Sequence, residues 1–326
     1  MPGRAGRLDF GLRMTDDRPL PSLPDGESFR TVVLALLANF TIAVIKLIAA
    51  FWTRSSAMQA EAFHAAADTG NQVLLLVADR RARRPPDADH PMGHGREAYF
   101  WALMASLGVF FAGSLLALRQ GVQELLHPVP VESHLLAYVI LAISFVLDGL
   151  SLIRAYHQIK READSLDREF LEHLGLSSDP VGRAVFAEDA VAVAGNLIAL
   201  VGIVWHQMTG SAVPDAVAAL IISAGLGVVA LDLARRNRDF LVGQEASPKV
   251  RAQLEQLIAR QPGITAVTEL LVTFLGPRRM WVVARIDLDD AMNGAAVKAL
   301  LCDTERAVQA QSAAIARVDL VPRGRR

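Results

Sequence analysis

Six apolar stretches constrain this chain more than any other feature. They run over residues 31–52, 57–78, 98–118, 134–153, 184–205 and 212–233, and each is long enough to cross a bilayer, which takes about 20 residues as a helix. None shows the strict apolar–polar alternation of a barrel strand, so helices are predicted throughout. The third stretch carries no charged residue, while the others carry a few isolated polar groups. In a chain of 326 residues that is 52% hydrophobic and 21% charged, this means apolar blocks alternating with charged ones.

The basic residues orient these spans. Arg4, Arg7, Arg13, Arg18 and Arg30 precede the first, and Arg80, Arg81, Arg83, Arg84 and Arg96 follow the second. Lys160, Arg161, Arg168 and Arg183 follow the fourth, and Arg235, Arg236 and Arg238 follow the sixth. The opposite connections hold little beyond Arg54 and Arg119. Both termini are therefore expected on the cytoplasmic side. Residues 1–29 are rich in Pro, Gly and charge and read as a disordered cytoplasmic tail. The tail has no apolar core after its first charges, so no signal peptide is expected. Without a transit-like helix, the expected location is a bacterial inner membrane. A net charge of −1 implies no attraction to nucleic acid, and the single cysteine, Cys302, rules out an intramolecular disulfide framework.

Residues 30–240 thus form the expected six-span domain, and the character changes from Ala246 onward. "SPKVRAQLEQLIARQPG" predicts a helix with Ser247 as N-cap and Pro248 at its first position. "TAVTELLVTFLG" and "RRMWVVARIDLDD" predict two strands joined at Gly276 and Pro277. "NGAAVKALLCDTERAVQAQS" predicts an amphipathic helix, and "AIARVDLVP" a last strand. Residues 246–322 therefore read as a small cytoplasmic α+β domain of order αββαβ.

The chemistry sits in "EAFHAAAD" of the second span. Glu61, His64 and Asp68 lie at i, i+3 and i+7, and Asn71 continues the line at i+10. One helical face carries all four. An Asp at mid-membrane costs about 2.5–3.5 kcal/mol, so such groups face the bundle interior and mark a pathway. The fifth span offers Glu188 and Asp189 side by side, with Asn196 seven residues beyond. An imidazole with carboxylates from two helices is a ligand set for a borderline divalent ion such as zinc. Structural hydrogen bonds between helices are the plainer reading of the same residues. Lys46 and Asp148 are expected either to pair or to snorkel, and Asp215 to complement the N-terminus of the sixth span.

A second cluster lies between spans two and three. Asp87, His90 and His94 are spaced Asp-x-x-His-x-x-x-His, with Pro91, Gly93 and Gly95 shaping the turn. Two imidazoles and a carboxylate can hold zinc, although polar Pro/Gly loops also contain His without a metal.

Together these residues resemble the cation diffusion facilitators, six-span zinc transporters. "EAFHAAAD" is similar to that family's second-span metal motif. "PPDADHPMGHGREA" is similar to its loop signature Pro-x-Asp-x-x-His-Pro-x-Gly-His-Gly-x-x-Glu. The acidic pair in "EDAVAVAGN" and the stretch "LLHPVPVES" look most like the branch of the human zinc transporter nine. The resemblance implies a homodimer that exchanges Zn²⁺ or a related ion for protons. It also implies a metal site between spans two and five and a metallochaperone-like cytoplasmic domain. Three positions depart from the family pattern. Val185 stands four residues before Asp189, where a ligand is usual, so Glu188 is a candidate replacement about 100° around the helix. No His occurs after His206, which removes the usual ligands of the cytoplasmic domain. Arg96 matches a basic position whose acidic partner falls near Gly243, where only Asp239 and Glu245 are close.

The expectation is a divalent cation efflux antiporter with alternating access, carrying Zn²⁺ as substrate and needing no organic cofactor. His64, Asp68, Asp189 and Glu188 are the transport ligands, Asp87, His90 and His94 an auxiliary set, and Glu61, Asn71 and Asn196 a proton or ion path. Two alternatives stand beside it: a transport-inactive membrane protein that binds metal or a partner, and an antiporter for manganese, iron, cobalt or nickel. A soluble enzyme is disfavoured, because the chain has six spans and shows no nucleophile–base constellation.

Overall fold

The structure, a computed structural model, describes residues 27–128, 134–165 and 169–323. The expected tail up to position 26 and part of the 125–133 stretch lie outside the described residues. The chain forms a helical bundle followed by a small α+β unit. The bundle comprises α1 (Glu27–Thr53), α2 (Ser56–Ala82), α3 (Glu97–Gly108) continued by α4 (Leu116–Leu126), α5 (His134–Ser165), α7 (Pro180–Thr209) and α8 (Val213–Val242), with a short α6 (Phe170–Leu176) between α5 and α7. Four of these, Glu97–Leu126, His134–Asp164, Pro180–Thr209 and Val213–Val242, are long and apolar enough to span a membrane by themselves. Helix α2 falls short on apolarity because it carries the ionisable stripe, and it is held among neighbours that bury that stripe. Large apolar side chains such as Phe51, Phe111, Leu135 and Val228 point outward, as a lipid-facing surface requires.

Local signals place the helix ends. Ser55 caps α2 by accepting from the Met58 amide at 3.1 Å. Asp179 caps α7 by accepting from Val181 and Gly182, with Pro180 at the first turn. Asp215 stands in the first turn of α8, as expected, and does more. It is buried and serves another helix, accepting from the Ser55 hydroxyl at 2.8 Å and the Ser56 amide at 2.6 Å. Its carboxylate thus meets the positive end of α2 rather than only that of its own helix.

The third span is not one uninterrupted helix. Val109–Leu115 forms a π-helical segment between α3 and α4. The looser turn is matched by a reciprocal pair: Ser114 donates to the Ser223 carbonyl and Ser223 to the Ser114 carbonyl, both at 2.9 Å. Two hydroxyls thereby join this span to α8.

Beyond α8, the chain builds α9 (Pro248–Ala259), β1 (Ile264–Gly276), β2 (Arg279–Leu288), α10 (Gly294–Gln309) and β3 (Ile315–Pro322). Strand β2 is central, antiparallel to β1 and parallel to β3. Leu254 and Ile258 of α9 and Val308 of α10 pack on Val272, Val282 and Ile286, giving this unit a core of its own.

The unit is docked against the bundle through the β1–β2 turn. Arg278 holds the left-handed conformation (φ 54°), unusual for a residue with a side chain. Its amide donates to the Ser178 hydroxyl at 3.1 Å, and its guanidinium pairs with Glu162 at 2.7 Å and Asp179 at 3.4 Å. On the other side, Gly95 and Gly276 meet backbone to backbone. A Cβ on Gly276 would lie 2.8 Å from the Gly95 Cα, and one on Gly95 would strike the Leu275 carbonyl. Arg96 donates to the Phe274 carbonyl at 3.4 Å, so its contact is with strand β1 rather than with an acid near Gly243. Rings meet through the same junction, Tyr99 stacked on Phe240 and Phe240 edge-on to Phe274.

Gly95→Val is expected to force this junction apart, since overpacking costs about 1–3 kcal/mol. Protease cleavage in the 243–247 connection should accelerate about fivefold or more, by the corresponding shift in open population. Cleavage at the parental rate would show that the close contact does not hold the unit in place.

Candidate metal centre

The polar stripe of α2 splits into two layers. The layer nearer the C-terminal unit contains His64, Asp68 and Asn71 facing α7. His64 is 1% exposed, and neither ring nitrogen has a hydrogen-bond partner. Its Nε2 approaches Asp68 Oδ2 at 3.4 Å without hydrogen-bond alignment, and Asp68 Oδ1 is also buried without a partner. From α7, buried Glu188 accepts through Oε2 from the Asn71 amide, while its Oε1 has no partner. Asp189 turns the other way and accepts from Ser151 of α5 at 2.6 Å. Adjacent helical residues diverge by about 100°, which is why the two carboxylates face different neighbours. Both remain near enough to act electrostatically on Asp68.

Val185 is half-buried and supplies no donor atom. Glu188 reaches α2 in its stead, through Asn71. Sequence reasoning placed Asn71 on the path but did not identify it as the residue that orients Glu188. Ser151 was missed altogether, because a lone serine in an apolar span carries no signal of its own.

The second layer holds Glu61. Its Oε2 accepts from Lys46 at 3.2 Å, and Lys46 also donates to Asn196 Oδ1 at 3.4 Å and lies 3.7 Å from Asp148. Asn196 in turn donates to Asp148 at 2.8 Å. Lys46 and Asp148 therefore pair inside the bundle, and Lys46 does not snorkel. Gly195 leaves the space that Glu61 occupies, since a Cβ there would collide with Glu61 Oε1.

The loop cluster is more compact. Among the described residues, only Asp87, His90 and His94 bring three such donor atoms within 4.8 Å of one another. Asp87 accepts the His90 amide at 2.7 Å and lies 2.9 Å from His94 Nε2. Gly93, at φ 79°, makes the turn that folds His94 back. Glu97 meets His94 Nδ1 at 3.1 Å and is itself held by the Trp101 indole. It lies one residue before the glutamate position of the loop signature, which Ala98 fills, and orients the ring so that Nε2 faces Asp87, a role for which sequence spacing carried no evidence. The His94 contact holds the Asp87 carboxyl down to about 2, and the same contact raises the imidazole above its ordinary range.

Comparison with known proteins identifies the family of the bundle. The model of the cation efflux transmembrane domain matches residues 32–242. The chain is 32% identical over 260 residues to the human "Proton-coupled zinc antiporter SLC30A9, mitochondrial", covering 80% of this chain and 46% of that protein. It is 32% identical over 269 residues to "Metal tolerance protein C4" of Arabidopsis thaliana, covering 82% of this chain and 59% of that one. The "Cation-efflux pump FieF" of Shewanella oneidensis is 28% identical over 256 residues, 76% of this chain and 78% of the pump. The chain thus spans about half the length of the human and plant relatives. With six long helices, an inward-facing stripe of donors and a family model covering the whole bundle, this chain belongs to the cation efflux family of membrane transporters.

Proposed function

We propose that the chain moves Zn²⁺ out of the compartment that holds its C-terminal unit, in exchange for protons. One observation carries this reading. Where α2 meets α7, His64, Asp68 and Glu188 present buried donor atoms that no protein group satisfies. Unpaired polar atoms at such depth are costly, and a divalent ion is a partner for all of them. Asp189 stands next to this set and joins it by releasing Ser151. Metal binding requires a neutral imidazole and ionised carboxylates, so protons compete for the same atoms. Exchange then follows if the two faces of the membrane reach the site alternately. The name of the human relative, a zinc antiporter, supports zinc, and that of the plant relative, a metal tolerance protein, supports a metal substrate. Imidazole and carboxylate do not by themselves select one metal, so manganese, iron, cobalt and nickel are the competitors.

Residues 30–240 are assigned to the membrane domain and 246–322 to a cytoplasmic one. The protein is assigned as a homodimer in a bacterial inner membrane, on the loop-charge asymmetry and the family resemblance. Zinc uptake into proteoliposomes under a pH gradient tests the central claim. Asp68→Ala should reduce uptake at least about tenfold, the loss that even an outer partner of a metal ligand produces. Uptake at the parental rate would sink the site. If the purified protein binds zinc yet moves none, the transport-inactive reading takes its place.

The loop set is proposed as an auxiliary metal site at the junction with the C-terminal unit, where Met92 lies 3.5 Å from Arg317. His90→Ala with His94→Ala should remove one bound metal ion per chain while leaving Asp68-dependent uptake measurable. The raised imidazole of His94 keeps its proton to a higher pH than a free one would. Metal affinity at the loop should therefore fall as pH is lowered, beginning above the ordinary imidazole range of about 6.5. Titration calorimetry in buffers of different ionisation enthalpy would show a proton released on binding. Binding that is independent of pH across that range would refute the assignment of His94.

A further inference from the structure

Lys46 is the least expected side chain in the bundle. It lies seven residues from the end of α1, within reach of the membrane surface, yet it is 1% exposed and turned inward. Four helices meet at its ammonium. Glu61 comes from α2, Asp148 from α5 and Asn196 from α7, and Asn196 closes the ring by donating to Asp148. Glu61 is wholly buried and Asn196 nearly so.

The position of this ring is set by helix register. Helices α2 and α5 run toward the C-terminal unit, and α7 runs away from it. Glu61 precedes His64 by three residues, about 4.5 Å of rise, and Asp148 precedes Ser151 by the same. Asn196 follows Glu188 by eight residues, about 12 Å. All three offsets point the same way. The ring is a layer directly above the candidate ion site, on the side remote from the C-terminal unit.

We propose that Lys46 is a positioning residue whose ammonium latches α1 and α2 to α5 and α7, closing the far side of the ion path. A buried ion pair is weak evidence for stability, because desolvation offsets much of the attraction. Its attested use is to specify one arrangement over another, and a ring that ties four helices across a path specifies the closed one. A divalent ion leaving toward the far side must pass this layer, so opening requires Lys46 to part from Glu61 or Asp148. The latch rests on the reading of the α2–α7 seam as the path, but its test needs neither metal nor transport.

Cys302 is the chain's only cysteine. In a Cys302→Ser background, Ala192→Cys places a single thiol one turn from Glu188 and one turn from Asn196, between the ion site and the ring. A membrane-impermeant maleimide is added to vesicles from the face opposite the C-terminal unit. With Lys46 present, labelling should be slow. Lys46→Met should raise the rate about tenfold or more, by shifting the population toward the open far side. Lys46→Arg, which keeps the charge, should label slowly. If Lys46→Met does not fold because Glu61 is left unpaired, Lys46→Met with Glu61→Met removes that charge, and fast labelling is again expected. A purely structural lysine would lower thermal stability without changing the rate from this face. Parental labelling rates in the folded charge-removing variants, or fast labelling of the parent itself, would overturn the latch.

Discussion

Everything in this bundle follows from the cost of holding an ionisable group in a medium without water. Each such side chain must face inward and find a partner. Lys46, Glu61, Asp148 and Asn196 satisfy one another in one layer. Asp215 is satisfied by the start of α2. His64, Asp68 and Glu188 lie together with buried polar atoms that no protein group satisfies, although Glu61 Oε1 in the neighbouring layer is also without a partner. The two layers differ in that the Lys46 layer is tied together by an ammonium shared among helices, while the His64 layer has no cation of its own among the described residues.

The same constraint explains how the C-terminal unit is attached. Its contacts with the bundle lie where water is available, so they use partly exposed ion pairs and backbone donors. Arg278 bridges Glu162 at the end of α5 and Asp179 at the cap of α7. Asp179 begins the helix that carries Glu188 and Asp189, so the unit grips the element on which the candidate ion site is built. Exposed pairs of this kind contribute little individually, at most about 1 kcal/mol each. The direct meeting of Gly95 and Gly276, which no side chain can enter, makes the junction specific.

Much of this was legible in the chain. The spacing of Glu61, His64, Asp68 and Asn71 put them on one face, and the hairpin at Gly276 and Pro277 was readable from its punctuation. The loop spacing of Asp87, His90 and His94 anticipated the one compact donor cluster among the described residues. What escaped were partners supplied by distant segments. Ser151 and Ser178 are ordinary serines until the fold sets them beside Asp189 and Arg278. The π-helical segment in the third span escaped too, and the serine paired with it lies on another helix.

The sequence by itself determined the six long apolar segments, the asymmetry of their flanking charges and the residue types able to bind a divalent ion. These depend on composition and period, which are local properties. Only the tertiary structure decided that Glu188 faces α2 while Asp189 faces α5, that Glu61 belongs with Lys46 rather than with His64, and that Arg96 touches a strand carbonyl. Each of those outcomes depends on which helices meet and in what register. A rotation of one residue, about 100°, changes the partner.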